Sequence, residues 1–284
     1  METAVDGYLD LTLATAGTAP SGQLVQLRLP SEDPVFAGHY PDYPVLPASL
    51  VVELCCAVLN TYKAIDPLLD GWRLTTSRIT GAIRPGDLVT VHVAERDDGI
   101  DLRVHARQSL AAELSFRPST GASAVPRTGD DPAPTAFRPA SGFLPQRYPL
   151  MVVDQVAITP DGQSGRARKL LSYGDYAFRR FSPERNGRDE PAYPVGGVIE
   201  GIEQAAAAVL SQRWDMADPD HVILVGGLRD LDFHGQAYPG EIIDFATAIT
   251  MLTDRMAILS GTARVDARPL ASIGRISVIR MERQ

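Results

Sequence analysis

The same spacing of prolines and a glutamate occurs twice in this chain of 284 residues. The first copy is PVLPASLVVE at residues 44–53, and the second is PAYPVGGVIE at residues 191–200. Proline is favoured at the start of a helix, where the missing N–H costs least. Each copy leads into a run of apolar residues, so each predicts a helix that is enclosed on most sides.

Alternating apolar and polar residues follow each predicted helix. VTVHVAE (89–95) and IDLRVHA (100–106) are examples in the first half, and MAILSGTARV (256–265) and SIGRISVI (272–279) in the second. This alternation, bounded by Gly, Asp and Pro, predicts antiparallel strands with one buried face. We therefore expect an α+β chain in which a sheet wraps a long helix twice. The alternative is two unrelated α+β domains with a coincidental proline and glutamate pattern.

A segment rich in Pro, Ala, Gly and Ser separates the two copies. It predicts a linker at residues 119–142 between a first domain, residues 1–118, and a second domain, residues 143–284.

Composition excludes several classes of function. The net charge of −8 and the absence of a basic stripe argue against nucleic-acid binding. There is no glycine-rich phosphate motif, the histidines lack metal-ligand spacing, and the adjacent Cys55 and Cys56 suit buried hydrophobes, so no metal or other cofactor is expected. Neither a membrane-spanning run nor a secretory signal is evident, which predicts a cytoplasmic protein.

Three stretches resemble one enzyme family. FAGHYPDYPVLPASLVVE (36–53) is similar to the histidine turn and central helix of FabA/FabZ-type 3-hydroxyacyl-[acyl-carrier-protein] dehydratases. FLPQRYPLMVVDQV (143–156) resembles the amino-terminal stretch of that family, and PAYPVGGVIEGIEQAAAAVL (191–210) its central helix. The resemblance implies two hotdog folds in tandem, a double hotdog, as in polyketide synthase dehydratase domains.

The resemblance also implies an activity and a partner. The expected reaction is dehydration of 3-hydroxyacyl thioesters to trans-2-enoyl thioesters in fatty-acid-like or type II polyketide biosynthesis. The expected partner is an acyl carrier protein whose phosphopantetheine arm bears the acyl chain. One chain would form a pseudo-dimer, and further oligomerisation stays open.

The departures from the family pattern are complementary. The first half has His39, but no glutamine stands four residues after Glu53. The second half keeps Glu200 and Gln204, but it has no histidine in residues 178–194. Because the family builds each site across two hotdogs, the pattern predicts one complete site from His39, Glu200 and Gln204.

The expected chemistry suits these side chains. A neutral histidine can remove the proton next to the thioester carbonyl, and a buried carboxylic acid can protonate the leaving hydroxide. Gln204 lies one turn after Glu200 and can orient the carboxyl. We expect Pro41 and Pro44 to stiffen the histidine turn. We expect substrate contacts at Gly38, Pro47 and Ala48, the last through its backbone N–H.

The loop at residues 178–194 of the second half contains several arginines. Arg179, Arg180 and Arg185 could dock an acidic carrier protein, or they could form an ordinary solvated loop. Glu53 is expected to be a leftover acid, neutralised by Arg180 or another arginine of that loop. The alternatives to a dehydratase are an enoyl-thioester isomerase, which uses the same base and acid, and a non-catalytic carrier-protein-binding subunit.

Overall fold

The structure is a computed structural model. It describes the following residues: 2–5, 7–9, 11–19, 22–40, 42–67, 70–119, 136–181, 183, 190–216 and 218–283. Pro41, Arg185 and residues 120–135 of the predicted linker lie outside these ranges.

Buried and more exposed side chains alternate at residues 89–94, 100–106 and 256–265, as the sequence predicts. Fourteen strands are present in the described ranges. In the first half they are β1 (Glu2–Val5), β2 (Leu11–Ala19), β3 (Gly22–Arg28), β4 (Trp72–Ile79), β5 (Leu88–Arg96), β6 (Gly99–Ala106) and β7 (Ser109–Pro118). In the second half they are β8 (Arg138–Pro139), β9 (Gln155–Ile158), β10 (Ser164–Leu170), β11 (His221–Phe233), β12 (Ile242–Leu252), β13 (Met256–Val265) and β14 (Arg268–Glu282).

Within the described ranges these strands form one antiparallel sheet of fourteen strands. The first half has the order β1-β2-β3-β5-β6-β7-β4, and the second half repeats it in mirror order as β11-β14-β13-β12-β10-β9-β8. The halves join where β4 pairs with β11, with Leu74 opposite Leu231. We call this pairing the seam. The predicted double hotdog is confirmed, with its two sheets fused edge to edge.

The central helices lie side by side inside the wrapped sheet. They are α2 (Ala48–Lys63) and α3 (Val195–Leu210), and a shorter helix, α1 (Pro34–His39), precedes α2. Pro47 and Pro194 are their N-cap residues, and fifteen residues of α3 are buried. Each of the two predicted enclosed helices therefore exists. None of the helices in the described ranges has the length and hydropathy needed to cross a membrane.

Two details differ from the sequence prediction. Strands also precede each central helix, where the sequence analysis placed strands only after it. Residues 138–142, at the end of the predicted linker, form β8 and the 3-10 helix Ala140–Gly142, and β8 pairs with β9. These residues therefore belong to the second hotdog, and the linker ends before them.

Candidate active site

A cavity of about 200 Å³ lies between the two halves. The end of α1 and the start of α2 form one wall, and α3 with β11 and β14 forms the other. Most lining side chains are apolar. The polar ones include His39, Tyr40, Gln146, Glu200, Glu203 and Gln204. The predicted base and the predicted acid, one from each half, thus line the same cavity.

His39 is the last residue of α1, a helix that begins at Pro34 and is capped by the side chain of Asp33. Its Nδ1 lies 3.0 Å from the carbonyl oxygen of Val45. Because a carbonyl only accepts, Nδ1 carries the proton and Nε2 is left as the basic nitrogen. Burial lowers the pKa of His39 to about 4. The imidazole is therefore neutral at pH 7 and can accept a proton.

Glu200 lies on α3 and is held at both carboxyl oxygens. The hydroxyl of Ser49 donates to Oε2 at 2.6 Å, and Nε2 of Gln204 donates to Oε1 at 2.9 Å. Burial raises the pKa of Glu200, whereas these two hydrogen bonds lower it. Burial is the largest of these effects, so the environment favours the protonated acid more than water does.

Gln204 is itself fixed by the backbone of residues 150–153. Its Nε2 donates to the carbonyl of Leu150, and its Oε1 accepts from the N–H groups of Val152 and Val153. These bonds determine which end of the amide faces Glu200. The predicted orienting contact between Gln204 and Glu200 is therefore present, and the segment that resembles the family's amino-terminal stretch supports it.

The predicted substrate contacts divide into two groups. Pro47 and Ala48 line the cavity at the start of α2, where helix geometry leaves the first N–H groups without intrahelical acceptors. Gly38 does not line it. Its carbonyl accepts from Arg147 N at 2.7 Å, and a Cβ there would lie 2.8 Å from the carbonyl oxygen of Arg147. Gly38 permits close packing of the two halves, and the lining of the cavity does not include it, so its expected substrate contact stays a prediction.

Sequence reasoning missed two residues of the site. Ser49 is fully buried and joins the start of α2 to Glu200. Glu203 is a second buried acid in the cavity wall, and burial and the charge of Glu200 raise its pKa well above the usual value. Helical spacing carried a signal for Glu203, because positions three apart share a helix face. No sequence signal separated Ser49 from an ordinary helix-start serine.

The second acid, Glu53, has different surroundings. It accepts hydrogen bonds from the backbone N–H of Tyr8 at 3.0 Å and of Gly196 at 2.9 Å. Burial raises the pKa of Glu53 to about 7, against the lowering effects of these bonds and of the Arg179 charge. Backbone donors hold the Glu53 carboxyl, and Arg179, an arginine of the loop named in the expectation, lowers the pKa of Glu53 by its charge.

Aromatic residues fill the region beside Glu53. The hydroxyls of Tyr8 and Tyr193 lie 2.6 Å apart, and both residues are buried. Arg179 donates to the carbonyls of Gly7 and Tyr8 and stacks over the ring of Tyr176 at 3.8 Å. Its guanidinium is therefore engaged within the chain, which argues against the predicted docking role for Arg179.

Comparison with known proteins supports the resemblance. The family model "ApeI-like: ApeI dehydratase" matches residues 18–114. The 3-hydroxyacyl-[acyl-carrier-protein] dehydratase FabZ of Campylobacter lari is 27% identical over 131 residues, 45% of this chain and 86% of that protein. The FabZ of Aliarcobacter butzleri is 26% identical over 129 residues, 44% of this chain and 84% of that protein. The resemblance to FabZ-type dehydratases is confirmed.

Solved structures support the arrangement of the whole chain. The dehydratase domain of PpsC from Mycobacterium tuberculosis, in complex with C12:1-CoA, has a TM-score of 0.68 at 12% identity, covering 95% of this chain and 98% of that one. The dehydratase domain from the CurJ module of curacin polyketide synthase has a TM-score of 0.71 at 9% identity. The match covers 97% of this chain and 98% of that one. At these identities the likeness establishes the fold.

Proposed function

We propose that the protein dehydrates 3-hydroxyacyl thioesters carried by an acyl carrier protein, giving trans-2-enoyl thioesters at one site per chain. The observation that carries the proposal is the cavity lined by a neutral histidine from one half and a buried acid from the other. The FabZ relatives, whose names state this substrate and reaction, support the choice of substrate. A cytoplasmic location belongs to the same proposal.

His39 is the proposed base. The bond from Nδ1 to the carbonyl of Val45 leaves the lone pair of Nε2 for the proton on C2 of the substrate. When Nε2 takes that proton, the electrons of the C–H bond move toward the thioester carbonyl. The N–H groups at the start of α2, beside Pro47 and Ala48, are the proposed donors to the developing negative oxygen.

Glu200 is the proposed acid. Its proton passes to the C3 hydroxyl, which leaves as water while the C2–C3 double bond forms. Glu200 then holds a negative charge, and the hydrogen bonds from Ser49 and Gln204 stabilise that charged form. Transfer of the proton from His39 back to Glu200, directly or through water, restores the starting state.

The test is turnover of a 3-hydroxyacyl-carrier protein by the purified protein, followed by mass spectrometry for the loss of one water. His39→Ala and Glu200→Gln should abolish or strongly reduce that loss. No water loss with the wild-type protein across several chain lengths would contradict the proposal and favour a non-catalytic subunit. Movement of a double bond in a 2-enoyl substrate, without hydration or dehydration, would favour the isomerase.

A further inference from the structure

Glu203 is a buried acid without a function in the reaction described above. It lies three residues after Glu200 on α3, lines the same cavity and is 9% exposed. Its Oε1 is buried and has no hydrogen-bond partner among the described residues. Glu200 differs in this respect, since Ser49 and Gln204 contact both of its oxygens.

An unpartnered buried carboxyl is costly, and folded proteins seldom keep one without a reason. After Gln204, whose amide contacts Glu200, the remaining residues of α3 that line the cavity, Ala207 and Leu210, are apolar. A leucine at position 203 would extend this apolar wall, and it would suit a plain alkyl chain better than a glutamate does. We therefore expect the hydrogen-bond partner of Glu203 to be a group of the ligand.

The helix geometry indicates which part of a substrate passes Glu203. Three residues of α-helix advance about 4.5 Å along the axis, which corresponds to about three or four carbon–carbon bonds of an extended acyl chain. A substrate with C3 at Glu200 and its chain directed toward Leu210 would place carbons shortly after C3 beside Glu203.

We propose that Glu203 selects acyl chains that carry a hydroxyl or keto oxygen on one of the carbons shortly after the reacting C3. This inference rests on the proposed function for the position of the chain. A protonated carboxyl both donates and accepts, so it can bind a hydroxyl or a carbonyl oxygen. Burial and the neighbouring Glu200 disfavour the ionised form, which argues against an ammonium group as the partner.

The experiment measures binding separately from turnover. The ligands are pantetheine thioesters of 3-hydroxydecanoate and of its derivatives with a second hydroxyl on carbon 5, 6 or 7. Titration calorimetry with His39→Ala protein gives the affinities without reaction. The same titrations are made with His39→Ala combined with Glu203→Leu, and with His39→Ala combined with Glu203→Gln. Thermal melting verifies that each variant is folded.

We expect at least one dihydroxy ligand to bind about tenfold more tightly than 3-hydroxydecanoyl-pantetheine. Glu203→Leu should abolish that preference, and Glu203→Gln, which keeps a donor and an acceptor, should retain most of it. Equal binding of all four ligands, or a preference that survives Glu203→Leu, would overturn the inference. Turnover by the wild-type protein tests the proposed function independently, so either can fail while the other stands.

Discussion

Replacing each central acid by glutamine tests the asymmetry of the two halves most directly. Glu53 and Glu200 are each the sixth residue of their helix, both are acids with raised pKa values, and each contacts the start of the opposite central helix. Glutamine preserves the size of either side chain and removes its transferable proton. At position 200 it can still accept from Gln204, and its amide can donate to the oxygen of Ser49.

The magnitude follows from the role assigned to each acid. A positioned general acid contributes roughly 100- to 10,000-fold, which corresponds to about 3–5 kcal/mol of the barrier. We therefore expect Glu200→Gln to reduce kcat/KM by that factor. Glu53→Gln should keep kcat/KM within about twofold of the wild-type value. The carboxyl of Glu53 is bound by the backbone amides of Tyr8 and Gly196, and Glu53 does not line the cavity.

The assay is steady-state dehydration of one 3-hydroxyacyl thioester, with both variants purified in parallel and compared by thermal melting. The matched positions make each variant the control for the other. Equal losses of kcat/KM in two folded variants would refute the reasoning, and so would a larger loss in Glu53→Gln.

Three further predictions concern pH and one buried hydroxyl. Because the pKa of His39 is about 4, kcat/KM should stay level on the acid side and fall only as the pH drops through about 4; a midpoint near 6.5 would contradict a buried neutral base. Ser49→Ala removes a hydrogen bond that lowers the pKa of Glu200, so the alkaline limb of the rate profile should move to higher pH, with roughly tenfold lower activity. Glu53 has a folded-state pKa of about 7, raised above the ordinary value, so the stability it contributes is present at low pH and is lost as the pH rises through about 7. Glu53→Gln should flatten the fall of the melting temperature with pH up to about 7. An unchanged slope in this variant would contradict the raised pKa of Glu53.

Much of the fold followed from repetition in the sequence. Two copies of one proline and glutamate pattern, each before an apolar helix and alternating segments, were enough to predict two wrapped helices. The mirror order of the strands and the seam at Leu74 and Leu231 were not predictable, because strand pairing across halves depends on contacts far apart in the chain. The short β8 was not predicted because Arg138–Pro139 lies in a proline-rich stretch whose composition is typical of a linker.

The candidate site was predictable where the family pattern fixed the spacing. His39, Glu200 and Gln204 line one cavity as the complementary losses suggested. Gly38 was expected to contact the substrate, whereas the contacts it makes are with residues 147–150. Those contacts join residues far apart in sequence, and the same is true of the Ser49 bond to Glu200.

The seam has a consequence for any attempt to work with half of this protein. It provides backbone partners for one side of β4 and one side of β11, and Leu74 and Leu231 are fully buried there. Cutting the chain between the hotdogs and expressing one fragment would leave the backbone N–H and C=O groups of that strand edge unpaired. Such an edge promotes self-association. A fragment starting at residue 136 or ending at residue 119 should therefore stay monodisperse only when the complementary fragment is supplied with it.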